Sequence, residues 1–199
     1  MPSQPALALF DLDGTLTRRD TLSDLLVRQF GVIRCAAAGL RLSPWLFGVP
    51  VGRVHRDVAK VHVLRHFFGG MSEADFAAIG AEYARQHLPK LLRPQAREQL
   101  DWHRAEGHRV IVISASVAEW IRPWTEQEGI ELLSTELARH DGRITGELAG
   151  VNCRCEEKVR RLRALLDPAG YDPIYAYGDT EGDTAMLAIA DHPVYRGLR

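Results

Sequence analysis

The chain has 199 residues, a net charge of −1, 46% apolar and 26% charged residues. That balance belongs to a soluble globular protein, either one medium domain or a core with a smaller insertion. It gives no electrostatic case for a nucleic-acid partner or an acidic membrane. Met1-Pro2-Ser3-Gln4-Pro5 lacks the charged and apolar regions of a signal peptide. Cys35, Cys153 and Cys155 are an odd set without disulfide spacing. The expectation is a cytoplasmic protein with reduced thiols, working as a monomer or dimer.

Leu7-Ala8-Leu9-Phe10 is an unbroken apolar run that suits a strand buried on both faces, as in a parallel sheet. Asp11 and Asp13 leave its carboxyl end, where ligands bind in such sheets, and Gly14 permits a sharp departure. From Thr17 to about Leu92 the pattern is helical. Leu22, Leu25, Leu26 and Phe30 share one face, with Gly31 weakening or bending that helix. Leu42 to Gly52 is uncharged but broken by Pro44, Gly48 and Pro50, so no regular structure is expected and no membrane span. It reads as an apolar corner between helices, or as a surface that could touch a membrane through Trp45, Leu46 and Phe47. Val54, Val58, Val61, Leu64 and Phe68 recur at helical spacing up to Gly69-Gly70. Ser72 with Asp75 starts another helix that turns Phe76, Ile79 and Tyr83 to one side. So much helix before the next strand implies an inserted cap, residues 18–92, on a core of residues 1–17 and 93–199.

A helix over Ala96–Glu106 leads into a second buried strand, Arg109–Ile113, which ends at Ser114-Ala115-Ser116. A helix over Val117–Glu128 and a strand near Glu131–Ser134 follow. Asp141-Gly142 then marks a hairpin. Glu156–Leu166 is helical with Val159, Leu162 and Leu166 inward. Ile174–Tyr177 is a third strand, ending at Gly178-Asp179. A helix over about Gly182–Ala190 and an edge strand at Val194-Tyr195 close the chain. The fold class is α/β: a parallel sheet flanked by helices, with right-handed crossovers.

Parallel strands would bring Asp11, Asp13, Ser114 and Asp179 to one sheet edge. Lys158 starts its helix within reach, and Asp183 follows Asp179 by four residues. Lys60, Lys90 and Lys158 are the only lysines, which draws attention to any that falls near a site. Carboxylate oxygens without imidazoles suit Mg²⁺, and a lysine beside them can stabilise an incoming phosphoryl group. His55, His62 and His66 have no acidic or thiol third ligand nearby and read as surface residues. Trp102, Trp120 and Trp124 read as core.

Asp11-Leu12-Asp13-Gly14-Thr15 resembles the first motif, Asp-x-Asp-x-Thr, of the haloacid dehalogenase superfamily. Ser114, Lys158 and Gly178-Asp179-Thr180-Glu181-Gly182-Asp183 resemble its second, third and fourth motifs, in order. The helical insertion resembles the phosphoserine phosphatase-like branch (subfamily IB), whose fold is a Rossmann-like core with a helical cap. Ser114-Ala115-Ser116, the stretch from Gly146 to Cys153 before Glu157-Lys158, and Tyr177-Gly178-Asp179-Thr180 look more like a bacterial subgroup around phosphatidylglycerophosphate phosphatase C.

The resemblance implies a Mg²⁺-dependent phosphomonoesterase that works through an aspartyl-phosphate. Asp11 would be the nucleophile and Asp13 the acid/base; Ser114 and Lys158 would hold the phosphoryl oxygens. It implies metal contacts from Asp11, Asp179, Asp183 and the main-chain carbonyl of Asp13. Arg19, Asp20 and Ala115 join Ser114 and Lys158 as expected substrate contacts. Phosphoserine phosphatases carry a glutamate near the position of Asp20, and that departure counts against phosphoserine itself. The substrate is a small phosphorylated alcohol of the phosphoserine, histidinol phosphate or phosphatidylglycerophosphate type, with a membrane surface involved only for the last. Transfer of the phosphoryl group to an alcohol acceptor is the alternative, and a non-catalytic binding protein the weaker one.

Overall fold

The structure is a computed structural model and describes residues 5–198. Met1 to Gln4, read above as lacking a leader, lie outside the described residues. Leu7–Phe10 forms β1. Leu7 and Leu9 enter one apolar cluster, Ala8 and Phe10 the cluster on the opposite face. Burial on both faces is why the strand is apolar at every position. β1 lies between β2 (Arg109–Val117) and β6 (Ile174–Gly178), with β3 (Glu131–Thr135) and β7 (His192–Tyr195) at the edges. All four pairings are parallel. Phe10 is level with Val112 and Tyr177, so the carboxyl ends of the three central strands open onto one crevice. The chain reaches β2 and β3 on one side of β1, and β6 and β7 later on the other. That reversal of strand order is where open α/β sheets bind ligands.

Six helices follow β1 before the chain returns toward the sheet: α1 (Thr21–Phe30), α2 (Val32–Arg41), α3 (Ser43–Gly48), α4 (Arg56–Phe68), α5 (Glu73–Gln86) and α6 (Leu88–Leu91), with a seventh helix still to come before β2. Gly31, at φ 80°, ends α1 where a bend was expected. The segment expected to be irregular holds α3, because Pro44 falls in its first turn, where a missing N–H costs nothing. Val54 precedes α4, and Val58 faces solvent; α4 instead buries Ala59, Leu64 and Phe68. α5 starts at Ser72, whose Oγ accepts from the Asp75 N–H, and it buries Phe76 and Tyr83 as expected. At both ends of this helical segment the chain pairs with itself: Arg18 N–H donates to Leu91 O and Arg93 N–H to Leu16 O, each near 2.9 Å.

α7 (Pro94–Ala105) delivers the chain to β2, which runs past Ser114 to Val117 with a register break against β3. A single tight turn, Ala118–Trp120, occupies the start of the expected helix, and α8 spans only Arg122–Glu128, with Pro123 in its first turn. The hairpin of β4 (Leu137–His140) and β5 (Arg143–Leu148) turns on Asp141-Gly142, both at positive φ, as its sequence requires. This hairpin reaches the helical segment. Gly70 N–H donates to Ile144 O (2.8 Å), Ile144 N–H to Met71 O (2.9 Å) and Glu73 N–H to Gly142 O (3.0 Å). α9 spans Glu156–Leu165, and the last helix shrinks to α10, Thr184–Leu187, after a turn at Glu181–Asp183.

Trp120 and Trp124 are buried, but Trp102 is 40% exposed, its edge against the His108 and Tyr175 rings. His62 stacks near Trp45 at 4.1 Å and His66 lies edge-on to Phe67. Among the described residues no histidine joins a candidate metal cluster. No helix of the described residues is long and apolar enough to cross a membrane.

α5 packs so closely on the Ala118–Trp120 turn that a Cβ on Gly80 would lie 2.4 Å from Glu119 O and 3.1 Å from Trp120 N. Gly80→Ala gains up to about 1 kcal/mol of helix propensity, yet forces two backbones apart at about 1–3 kcal/mol. The clash wins, so the expected result is a lower urea midpoint. A raised midpoint would contradict this packing.

Candidate active site

Asp11 leaves β1, Asp179 leaves β6, and Asp183 closes the turn after it. All three are buried, with ligand oxygens within 4.8 Å of one another. Gly14, at φ 86°, permits this gathering, since a Cβ there would lie 2.4 Å from Asp179 Oδ2. Lys158, in the first turn of α9, is buried with them. Its Nζ donates to Asp11 Oδ1 and to Asp183 Oδ1, both at 2.6 Å. The other Asp183 oxygen accepts from the Asp179 N–H, the Thr180 N–H and Thr180 Oγ1, which fixes the loop that presents Asp179.

Burial works to lower the Lys158 pKa, but the two carboxylates beside it outweigh burial and raise it. Burial opposes ionisation of Asp183 as well, and there Lys158 and the loop N–H groups prevail and hold it low. At Asp11 burial is the larger effect and drives the carboxyl upward against the pull of Lys158. Three buried carboxylates against one ammonium leave excess negative charge on hard oxygen donors. That set fits a small divalent cation of the Mg²⁺ kind.

Asp13 faces elsewhere. Its Oδ1 accepts from the Thr21 N–H at 2.6 Å, and its Oδ2 from Ser116 Oγ at 2.5 Å. Burial and the charge of Asp20 push it up to about 6, against those hydrogen bonds. A carboxyl in that range can both give and take a proton near neutrality. Its side chain lies outside the carboxylate cluster, so its main-chain carbonyl is what remains for a cation. Ser114 is buried within β2, where the pairing with β3 breaks register, its Oγ accepting from the Ser116 N–H.

Asp11, Asp13, Ser114, Lys158 and Asp183 line a chamber of about 460 Å³. Arg19, Asp20 and Ala115 line it too, as expected, with Arg19 and Asp20 at its exposed rim. Asp20 is also the N-cap of α1, its Oδ1 accepting from the Ser23 N–H at 2.7 Å. Several residues of the chamber and its walls were missed, among them Thr21, Lys60, Ser116 and Asn152. The Thr21 hydroxyl meets Ser116 Oγ and accepts from Trp120 Nε1. Lys60 Nζ donates to Ala115 O (2.5 Å) and to Asn152 Oδ1 (2.8 Å). The scarcity of lysines was the signal for Lys60, and the Ser-x-Ser repeat for Ser116. Nothing local marks Thr21 or Asn152.

Residues 8–188 match the family described as haloacid dehalogenase-like hydrolase. The chain belongs to that family. Protein CicA of Caulobacter vibrioides is 38% identical over all of this chain and 89% of its own length. A histidinol-phosphatase of Neisseria meningitidis is 26% identical over 94% of this chain and 88% of its own. A crystal structure of a protein with unknown function from Bordetella pertussis superposes with a TM-score of 0.81 at 26% identity, covering 94% of this chain and 88% of that one. A phosphoserine phosphatase solved as a phospho-aspartyl intermediate analogue superposes at 0.66 and 19% identity, covering 94% and 84%, a likeness of fold. The expected membership of the haloacid dehalogenase superfamily holds, with the fold of the phosphoserine phosphatases, and the protein is an enzyme. Haloacid dehalogenase-like hydrolases generally use Mg²⁺.

Removing the Lys158 ammonium would leave Asp11 and Asp183 facing one another in the interior. Lys158→Met is therefore expected to cost about 3–5 kcal/mol of stability at neutral pH. Unfolding by urea reads this directly, and an unchanged midpoint would refute the paired-charge account.

Proposed function

We propose that the protein is a Mg²⁺-dependent phosphomonoesterase that hydrolyses a phosphorylated alcohol through a phosphorylated Asp11. The observation that carries this reading is the division of labour between two carboxylates two residues apart. Asp11 is bound to Lys158 inside an acidic cluster, and Asp13 is hydrogen-bonded to Ser116 and Thr21. In the first step Asp11 attacks phosphorus, the ester P–O bond breaks, and Asp13 delivers a proton to the departing alcohol oxygen. In the second, Asp13 takes a proton from water, which attacks the acyl phosphate and returns Asp11. Ser114 Oγ and Lys158 Nζ hold phosphoryl oxygens meanwhile. A Mg²⁺ ion held by Asp11, Asp179, Asp183 and the main-chain carbonyl of Asp13 would offset charge on those oxygens.

Residues 1–17 and 93–199 would then be the catalytic core and residues 18–92 its cap. The self-pairing at Leu16–Arg18 and Leu91–Arg93 supports that division. The names of the Neisseria relative and of the structural neighbours support a metabolite phosphate as substrate. One observation favours instead an alcohol with an apolar part, of the phosphatidylglycerophosphate type. A cavity of about 520 Å³, bounded by Leu26, Ala38, Leu46 and Phe67 among others, shares Leu22, Arg56 and Lys60 with the catalytic chamber. Trp45 is engaged with His62, so Phe47, 75% exposed, is the better candidate for a membrane contact.

Two experiments test these readings. Asp11→Asn should lower aryl-phosphate turnover by roughly 10²-fold or more and trap no phosphoenzyme. Mg²⁺ at 100 times its dissociation constant should add about 2.7 kcal/mol of stability to the unaltered protein, and Asp179→Asn should lose that gain. Wild-type turnover by Asp11→Asn, or no thermal shift with Mg²⁺, would refute the respective assignment. In a panel of phosphoserine, histidinol phosphate and phosphatidylglycerophosphate, filling the cavity with Ala38→Phe should cost at least about tenfold in kcat/KM for the lipid alone. An equal loss on all three would show that the cavity takes no part of the substrate. Added alcohol acceptors distinguish transfer from hydrolysis in the same assay.

A further inference from the structure

Lys60 is a partly buried lysine on the chamber wall to which the phosphatase chemistry above gives no role. It stands on α4, in the helical segment, yet its ammonium ends in the sheet domain. One hydrogen bond goes to the carbonyl of Ala115, between Ser114 and Ser116; the other goes to Asn152 Oδ1, in the loop that leads into α9. Asn152 is held from two further directions. Its Nδ2 donates to Asp57 Oδ1, one turn before Lys60 on the same helix, at 2.6 Å, and its Oδ1 accepts from Thr135 Oγ1 at 2.8 Å. The same Thr135 hydroxyl accepts from the Cys153 N–H. Lys60 and Asp57 therefore clasp Asn152 between them.

Two segments meet at this ammonium, and each carries a part of the proposed site. Ser114 faces the chamber and Ser116 holds Asp13, so the backbone between them sets both. The Asn152 loop runs directly into the first turn of α9, which holds Lys158. We infer that Lys60 is a positioning residue, which registers the Ser114–Ser116 segment against the Lys158 helix and makes the geometry of the phosphoryl site depend on α4 being docked. The inference deepens the phosphatase reading and rests on it for its kinetic consequences, though not for its structural ones.

The charge environment agrees with this role. Burial lowers the Lys60 pKa to about 8, against the pull of Asp57 on its own helix, Asp13 and Asp20 after β1, and the Cys153 side. Burial pushes the Cys153 thiol up, so that group stays neutral where Lys60 titrates. Arg56 and Arg154 also stand on the chamber wall. Above about pH 8 the folded protein loses a proton that the unfolded chain keeps until about 10.4, so this group makes folding more favourable as pH rises there. A loss of turnover through the same window is then not unfolding caused by Lys60.

The test compares Lys60→Met, which keeps the apolar stem, with Lys60→Arg, which keeps a permanent charge. Hydrogen exchange is read first, without substrate. Lys60→Met should speed exchange of residues 113–117 and 150–156 by at least about tenfold, leaving β1 and β6 unchanged, while Lys60→Arg stays near the unaltered protein. With an aryl phosphate and Mg²⁺, Lys60→Met should lose at least about tenfold in kcat with KM within about threefold. The alkaline fall in kcat, centred near 8 in the unaltered protein, should move upward in Lys60→Arg. Unchanged exchange at 113–117, loosening spread evenly over the sheet, or a loss confined to KM would each overturn the inference. If Lys60→Met does not fold, Lys60→Arg decides: loosened segments or an unmoved alkaline fall count against it. If the unaltered protein turns over no phosphate ester, the phosphatase reading fails while the exchange data still decide the role of Lys60.

Discussion

A buried ammonium between two buried carboxylates is the constraint that the rest of this structure serves. Lys158 can lie beneath the surface because Asp11 and Asp183 are each 2.6 Å from it, and its charge favours the ionised form of both. The three partners come from the end of β1, the start of α9 and the turn after β6. Their meeting fixes how those elements sit against one another. Loop N–H groups then anchor Asp183 from behind, and the bare backbone of Gly14 lets Asp179 approach. A cluster assembled this way costs stability in isolation, and under the proposed function it would hold a cation and a phosphoryl group.

The helical segment is part of the same body. Phe68 and Phe76 stack edge-on at 5.0 Å, and both lie within 6.4 Å of Trp120 on the sheet side, so one apolar cluster runs through both parts of the chain. Chamber and core are thus built jointly. Arg19 and Asp20, just before α1, and Ser114 and Ala115, on β2, line the same chamber.

Much of this could be read from residue order alone. The central strands, Asp141-Gly142 and the site residues from Asp11 to Asp183 stand out because apolar runs, turn residues and carboxylates at strand ends are local signals. What escaped reading depends on contacts distant in sequence. β2 continues to Val117 because it pairs with β3, although its apolar run halts at Ser114. Trp102 stays half in solvent because its neighbours are the rings of His108 and Tyr175 at the sheet rim. Lys60 and Asn152 are separated by 92 positions, and no periodicity announces such a pair. The Leu42–Gly52 stretch shows the reverse error: its prolines suggested irregular chain, but Pro44 sits where a helix accepts one.

The hairpin β4–β5 has a consequence for traffic. Its backbone is stitched to residues 70–73 by three hydrogen bonds, and Arg143 adds a fourth to Gly70 O. The α4–α5 corner cannot swing from this hairpin unless these part together. At about 1 kcal/mol net apiece, the three backbone bonds alone keep the parted form below roughly 1% of molecules. A reactant that entered only through the parted form would find about one molecule in a hundred ready for it, and its apparent affinity would fall by the same factor.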